Sequence, residues 1–292
     1  MNLGSNFELK IPVGPFTFKI ISQIPSLTEE LKKLYGDYEQ ITTDEFYDFC
    51  VEVKPSKGLR RWIKPTVDFY FDEHKKPFKP LPASQCYPML EWGMNWCIAS
   101  HAHQYFIMHS AAIALNGKGI LMPAPQGSGK STLCAAMVNS GWQLFSDELG
   151  LIEPTTLNMV ACTRPINLKN DSIDIIKSFR PDTSFSEKAY DTQKGTVALL
   201  KPPKTSVQKM QQPAKLTAIV FPKYVKGSSC NLTQIPQYDA FHLLIDNSFN
   251  YHVLGQKGFE TVGKMLHSSN CYTLEYSDFD EANQCLTQLI NE

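Results

Sequence analysis

Apolar and polar positions alternate with a short period over the first quarter of the chain. Phe7 to Ile21, Phe46 to Val53, Arg60 to Ile63 and Thr66 to Phe71 read as strands. Turns fall at Pro55-Ser56-Lys57-Gly58 and from Asp72 to Lys76, and Leu27 to Leu34 reads as a short helix. The run Pro77-Phe78-Lys79-Pro80-Leu81-Pro82 reads as a linker, because proline blocks both helix and ladder. Beyond it the period lengthens. Met89, Trp92, Trp96 and Ile98 predict a helix over residues 85–102 with Ser84 as its N-cap, its aromatic stripe turned to the core. Tyr105 to Leu115 is an apolar strand interrupted by His109, and Asn116-Gly117 predicts a tight hairpin into the run from Gly119 to Pro123.

Strand and helix signals alternate to the end of the chain. Lys130 to Ser140 has no helix breaker, and Gly141 stops it. Trp142 to Glu148 reads as a second buried strand ending in two carboxylates, where the strands of a parallel sheet meet their ligands. Leu149 to Ala161 reads as a strand pair around Pro154 and residues 170–178 as a short helix. Val197 to Leu216 holds Lys201, Lys204, Lys209 and Lys215 among prolines and reads as a mobile basic segment, either a solvated loop or a grip on phosphates or an acidic substrate. A strand from Leu216 to Pro222, helices over 238–248 and 255–267, a strand from Cys271 to Tyr276 and a helix opened by Asp278 complete the pattern.

At 292 residues, 42% hydrophobic and 20% charged, the chain suits one large domain or two smaller ones. The net charge of −1 lacks the basic balance of a nucleic-acid binder. Its 8 cysteines form no C-x-x-C or other metal spacing and read as reduced, mostly buried thiols of a cytosolic protein. Met1-Asn2-Leu3-Gly4-Ser5 lacks the basic and apolar regions of a signal peptide, and no stretch is long and apolar enough to enter a membrane, so the expected location is the cytoplasm.

The densest chemistry lies at Pro123-Ala124-Pro125-Gln126-Gly127-Ser128-Gly129-Lys130-Ser131-Thr132. Strand, glycine-rich turn and helix in that order form a phosphate-binding loop, with Ala124 where the strict pattern has Gly. The loop from Pro125 to Thr132 would wrap a nucleotide's phosphates with its backbone N–H groups, which begin at Gln126, at a helix N-terminus that favours an anion. Lys130 would reach the β and γ phosphates, and the Ser131 hydroxyl would bind Mg²⁺. Asp147 and Glu148 follow Lys130 by 17 and 18 residues (147 − 130 and 148 − 130), where one carboxylate would hold the metal and its neighbour accept a proton. His109 precedes Lys130 by 21 residues (130 − 109).

That constellation resembles HPr kinase/phosphorylase, a bacterial serine kinase with a phosphate loop, related to phosphoenolpyruvate carboxykinase. More narrowly the chain resembles the HprK-related kinase A family. The narrower resemblance is carried by Leu59-Arg60-Arg61-Trp62, Glu91 to Cys97, the loop, Gly141 to Leu149, Arg164 to Asn170, Asp191 to Val197 and Ser248-Phe249-Asn250-Tyr251. The resemblance implies a mixed α/β chain: a β-rich accessory region at 1–82 and an HPr-kinase-like, ATP- and Mg²⁺-using catalytic domain at 83–292. His109, Lys130, Asp147 and Glu148 would be catalytic, Ser131 and Asp147 the metal ligands, with Glu148 on the family's proton acceptor. The family's second metal carboxylate has no clean match, with Asn170 or Asp171 nearest, and its late arginine is also unmatched, with Lys194 or Lys201 as candidate stand-ins. These departures argue against HPr as the acceptor.

The reading is phosphoryl transfer from ATP to a hydroxyl, a serine of a peptide or protein. The resemblance further implies a partner encoded beside PqqD-like and exosortase or polysaccharide functions, and leaves room for an oligomer. A nucleotide-binding scaffold, a triphosphate hydrolase and a small-molecule kinase use the same loop and stay as alternatives.

Overall fold

The computed structural model describes residues 7–42, 46–58 and 63–292. Arg60, Arg61 and all of the expected strand there except Ile63 lie outside the described residues. By its contacts the chain divides into two compact units, Met1–His101 with Asn167–Lys201, and Ala102–Ile166 with Pro202–Glu292. Each mixes strands and helices, so the chain is mixed α/β. Among the described residues no helix is long and apolar enough to cross a membrane. Elements are numbered in chain order.

In the first unit β1 (Phe7–Val13), β2 (Phe16–Ser22), β3 (Phe49–Pro55), β4 (Thr66–Phe71) and β5 (Leu81–Pro82) form one sheet in that order. The run from Phe7 to Ile21 is two strands, because Gly14 at φ +61° turns the chain and sets Val13 opposite Phe16. Leu81-Pro82, expected in a linker, pairs with Val67 and Thr66 at the sheet's edge, where a proline's missing donor is tolerated. Helix α1 (Pro25–Leu34) buries Leu27, Leu31 and Leu34. Helix α2 (Cys86–His101) follows a 3-10 turn whose N-cap is Pro82 rather than Ser84. It lies on β4 so closely that a Cβ on Gly93 would stand 2.1 Å from the Phe69 ring.

A second sheet of the first unit orders β11 (Ile166–Lys169), β13 (Gly195–Leu200) and β12 (Ala189–Thr192), with α4 (Asp171–Phe179) between β11 and β12 in the chain. Asn170 Oδ1 accepts from Thr196 N at 3.0 Å. Lys201 is ion-paired with Asp37 at 2.7 Å, and Lys194 lies over the Trp92 ring at 5.2 Å.

The second unit is built on an eight-stranded sheet. Its strands are β6 (Phe106–Leu115), β7 (Lys118–Pro123), β8 (Gln143–Ser146), β9 (Leu149–Ile152), β10 (Asn158–Val160), β14 (Ala214–Tyr224), β15 (Asn231–Gln234) and β16 (Asn270–Tyr276). The order is β10-β9-β6-β7-β14-β16-β15, with β8 also on β6. The expected parallel sheet is mixed. β7, β14 and β16 run parallel, while β6 is antiparallel to β7, β8 and β9. The β6–β7 hairpin forms as expected, with Asn116 and Gly117 at φ +53° and +76°, the geometry that a two-residue turn between twisted strands needs. β10 pairs with both β9 and the start of β14. Met159 on β10 presses against Gly119, where a Cβ would meet its sulfur at 2.2 Å.

Helix α3 (Lys130–Val138) follows the loop, and α9 (Phe279–Asn291) is tied near it by the bond from Trp142 Nε1 to Asn283 Oδ1 at 2.8 Å. Asp278 caps α9 as expected, accepting from Asp280 N and Glu281 N. Between β14 and the end lie α6 (Gln237–Asp246), α7 (Tyr251–Leu254) and α8 (Gln256–Ser268). The segment expected to be mobile instead carries the buried end of β13, the short α5 (Lys204–Gln208) and the start of β14.

Candidate functional site

The loop leaves the sheet where β7 ends, at Pro123 opposite Ser110 on β6. Pro125, Gln126 and Gly127 are exposed, and Ala124 is buried. Gly127 and Gly129 take φ of +87° and +91°, whereas Ala124 is not among the residues with positive φ, so the missing first glycine costs the backbone nothing. Gly129 is the N-cap of α3. The N–H groups of Ser131 and Thr132 fall in the first helical turn, where no carbonyl of the helix precedes them. The loop is braced from the neighbouring strands. Tyr224 N donates to Ser128 O at 3.0 Å, and Tyr276 Oη donates to Gly129 O at 3.1 Å.

Lys130 is 6% exposed, and its ammonium donates to Ala124 O at 3.3 Å and His109 O at 3.4 Å. Its side chain therefore spans the gap between the loop and β6. One helical turn on, the Cys134 thiol is buried and lies 3.9 Å from Ser146 O. Burial pushes that thiol well above its ordinary pKa, the negative charge of Asp147 adds to the rise, and the positive charge of Lys130 opposes it. Lys130 and Asp147 thus both act on one buried sulfur.

The acidic pair is placed differently from the sequence expectation. β8 and β9 are separate strands with the pair in the bend between them. Both lie antiparallel along the same edge of β6, Ser146 opposite Ala112 and Leu149 opposite His109. The register runs through the gap, and Ser110 N donates to Glu148 O at 3.1 Å. Asp147 therefore falls opposite Ala111 and Glu148 opposite Ser110. The pairing lapses at these two residues because Ser146 Oγ takes the backbone N–H groups of Glu148 and Leu149, at 3.2 and 2.8 Å.

Adjacent strand positions face opposite sides of a sheet. Gly150 borders Ser110 Oγ, Leu121 and Met108, which marks one face, and by register Glu148 belongs to it. Asp147 belongs to the other face, with Ala111, His109 and Leu149. Asp147 is 6% exposed and Glu148 is half-buried.

His109 is half-buried beside the loop's point of exit. Its backbone N–H donates to Asn247 O at 2.6 Å, and its ring meets Phe249 edge-on, centroids 5.7 Å apart. The strip of β6 that β7 does not reach is covered by residues 247–250. Met108 bridges Ser248, and Phe249 N donates to Ile107 O at 2.9 Å. Asn250 occupies the N-cap of α7 but makes no side-chain cap bond. Instead its buried amide acts as an extra strand residue, Oδ1 accepting from Ile107 N at 2.9 Å and Nδ2 donating to Tyr105 O at 2.8 Å.

Lys130, Ser131, His109, Asp147 and Glu148 all lie in the second unit, whereas Asn170, Asp171, Lys194 and Lys201 lie in the first. The expected metal donors, the Ser131 hydroxyl and the Asp147 carboxylate, are oxygens, a hard pair whose chemistry would fit Mg²⁺. Among the described residues no group of three or more His, Cys, Asp or Glu could hold a metal ion by itself. Sequence reasoning missed Tyr224, which lies just past the strand expected from Leu216 to Pro222, and Tyr276, which read only as the end of an apolar strand.

No protein-family model matches this chain, and no curated protein matches it. Among solved structures, the Hpr(Ser) kinase/phosphatase from Coxiella burnetii is similar over 63% of this chain and 93% of its own, at 11% identity and a TM-score of 0.26. A likeness of that size does not by itself establish a shared fold.

Proposed function

We propose that the second unit binds a nucleoside triphosphate at the loop and transfers its γ-phosphoryl group to a hydroxyl, a serine of a peptide or protein. The observation that carries this reading is the loop: glycines at positive φ, a helix N-terminus, and a lysine held over it by Ala124 and His109 carbonyls. The larger proposal is an HPr-kinase-like catalytic domain at 83–292 working with ATP and Mg²⁺.

In this reading the N–H groups of Gly127 to Thr132 hold the phosphates. Lys130 leaves its carbonyl partners to meet the β and γ oxygens, exchanging two neutral acceptors for charged ones. Ser131 and Asp147 would hold Mg²⁺, which when bound neutralises charge on the phosphate oxygens. The acceptor oxygen forms the new bond to phosphorus, the bond from phosphorus to the β-bridging oxygen breaks, and ADP carries away that electron pair. Glu148, the more exposed of the pair, takes the hydroxyl proton. His109, on the same face of β6 as Asp147, would orient that acidic residue. A carboxylate base suffices because the transition state is loose and depends mainly on positioning and charge.

Pure protein incubated with γ-labelled ATP, Mg²⁺ and candidate partner polypeptides tests the reading. Label on serine of a partner supports it. Free phosphate alone points to a hydrolase, label on a small metabolite to a small-molecule kinase, and binding without turnover to a scaffold; each of these overturns it.

A further inference from the structure

The parallel neighbour of β7 ends in a tyrosine that touches the loop. Tyr224 is the last residue of β14, and its N–H is bonded to Ser128 O. A Cβ on Gly129 would stand 3.0 Å from Tyr224 Cβ and 2.7 Å from Tyr276 Oη. Both tyrosines therefore abut the same loop residue. Tyr276 is fully buried, with its hydroxyl spent on Gly129 O. Tyr224 is 48% exposed. Its ring is set edge-on to that of Tyr276, centroids 5.8 Å apart and planes at 73°.

Three consequences follow from that geometry. β7 and β14 run parallel, so Tyr224 lies at the end of the sheet from which the loop emerges, the end at which α/β sheets receive ligands. An edge-to-face partner favours one orientation of the ring without covering it. A phenol with this much exposure beside a buried brace gains little from packing, and its large apolar surface is open to a second ring.

We propose that Tyr224 is the stacking platform for the base of the bound nucleoside triphosphate, held in position by Tyr276; this rests on the nucleotide reading above. Every base has a π face, so such a platform adds affinity for the nucleoside without choosing among bases. It also assigns the aromatic pair a use that bracing the loop alone does not require, since Tyr276 already supplies the hydrogen bond.

The test is calorimetric titration of the full chain with MgATP and with magnesium tripolyphosphate, which has the phosphates and no base. Tyr224→Ala is expected to weaken MgATP about tenfold, the equivalent of one lost base-aromatic stack, and to leave tripolyphosphate unchanged. Tyr224→Phe, which keeps the ring, should match the native chain for both. Unchanged tripolyphosphate binding also shows that the variant loop is intact. If Tyr224→Ala weakens both ligands equally, or neither, the platform is wrong while the nucleotide reading stands. If the native chain binds neither ligand, the nucleotide reading itself fails and the platform with it.

Discussion

The hydroxyl of Tyr276 donates to the carbonyl of Gly129 at 3.1 Å, tying the end of β16 to the N-cap of the loop helix. That contact separates two glycines that look equivalent in the motif. Both have positive φ, but a Cβ at Gly127 meets nothing within 4 Å, while one at Gly129 collides with the tyrosine pair. Gly127→Ala should cost about 1 kcal/mol of backbone strain, and Gly129→Ala about 3 kcal/mol because strain and displacement add. Urea unfolding checks this. Equal losses would contradict the crowding at Gly129.

Tyr276 also predicts a response to alkali. Burial, and then its neighbour Tyr224, raise its hydroxyl well above the ordinary value of 10.0. Burial likewise lifts the Cys271 thiol to about 11. A raised folded-state pKa stabilises the fold fully below the unfolded value and loses that contribution as pH climbs towards the folded one. Stability should therefore be flat from these groups below about pH 8 and fall increasingly above about pH 10, where the unfolded chain sheds protons that the folded chain keeps. Tyr276→Phe should fall less steeply in that alkaline range. A variant as alkali-sensitive as the native chain would show that Tyr276 titrates normally.

Asn250 substitutes for a strand residue, and its loss should be felt at the loop. Asn250→Ala removes a bond to Ile107 of β6 and another to Tyr105 just before it, in a site that is 1% exposed. The expected destabilisation is about 2–4 kcal/mol, since Ile107 N and Tyr105 O lose their partners while buried. Hydrogen exchange should rise first at residues 247–250 and at His109, whose N–H is held by Asn247. A loss below about 0.5 kcal/mol, the level of an ordinary surface change, would make the clamp incidental.

How far the sequence discloses this site depends on the range of the interactions. The glycine-rich turn into α3, the Asn116-Gly117 hairpin and the Asp278 cap are local, set by residues a few positions apart, and are legible. The lie of Asp147-Glu148 is not. A strand followed by polar residues and another apolar run reads as a strand end and a turn, and only the long pairing along β6 shows one path with a lapse at the pair. Asn250 is bonded to a backbone 143 residues away, so nothing in its local pattern reveals the clamp. The same limit hid Tyr224 and Tyr276, which reach the loop from strands far along the chain. The prolines and lysines from Lys201 to Lys215 suggested mobility, but buried Leu199, Leu200 and Val207 fix that stretch.

The register of β6 predicts an unequal acidic pair. With Asp147 on the face of His109 and within the field that Cys134 feels, Asp147→Asn should raise the Mg²⁺ concentration needed for half-maximal transfer. Glu148→Gln should lower turnover by about 10²- to 10⁴-fold with little change in nucleotide affinity, as expected for loss of a proton acceptor. Kinetics over a Mg²⁺ series distinguish the two. The opposite pattern would exchange the roles of the two carboxylates.

The central claim is that the loop and Lys130 hold a nucleoside triphosphate. Calorimetric titration with MgATP of the native chain and of Lys130→Met tests it most directly. The account predicts saturable one-to-one binding by the native chain and a loss of at least about tenfold in the variant, since charge-assisted bonds to phosphate cannot be replaced by a thioether. No binding by the native chain, or equal affinity in a folded Lys130→Met, would contradict it.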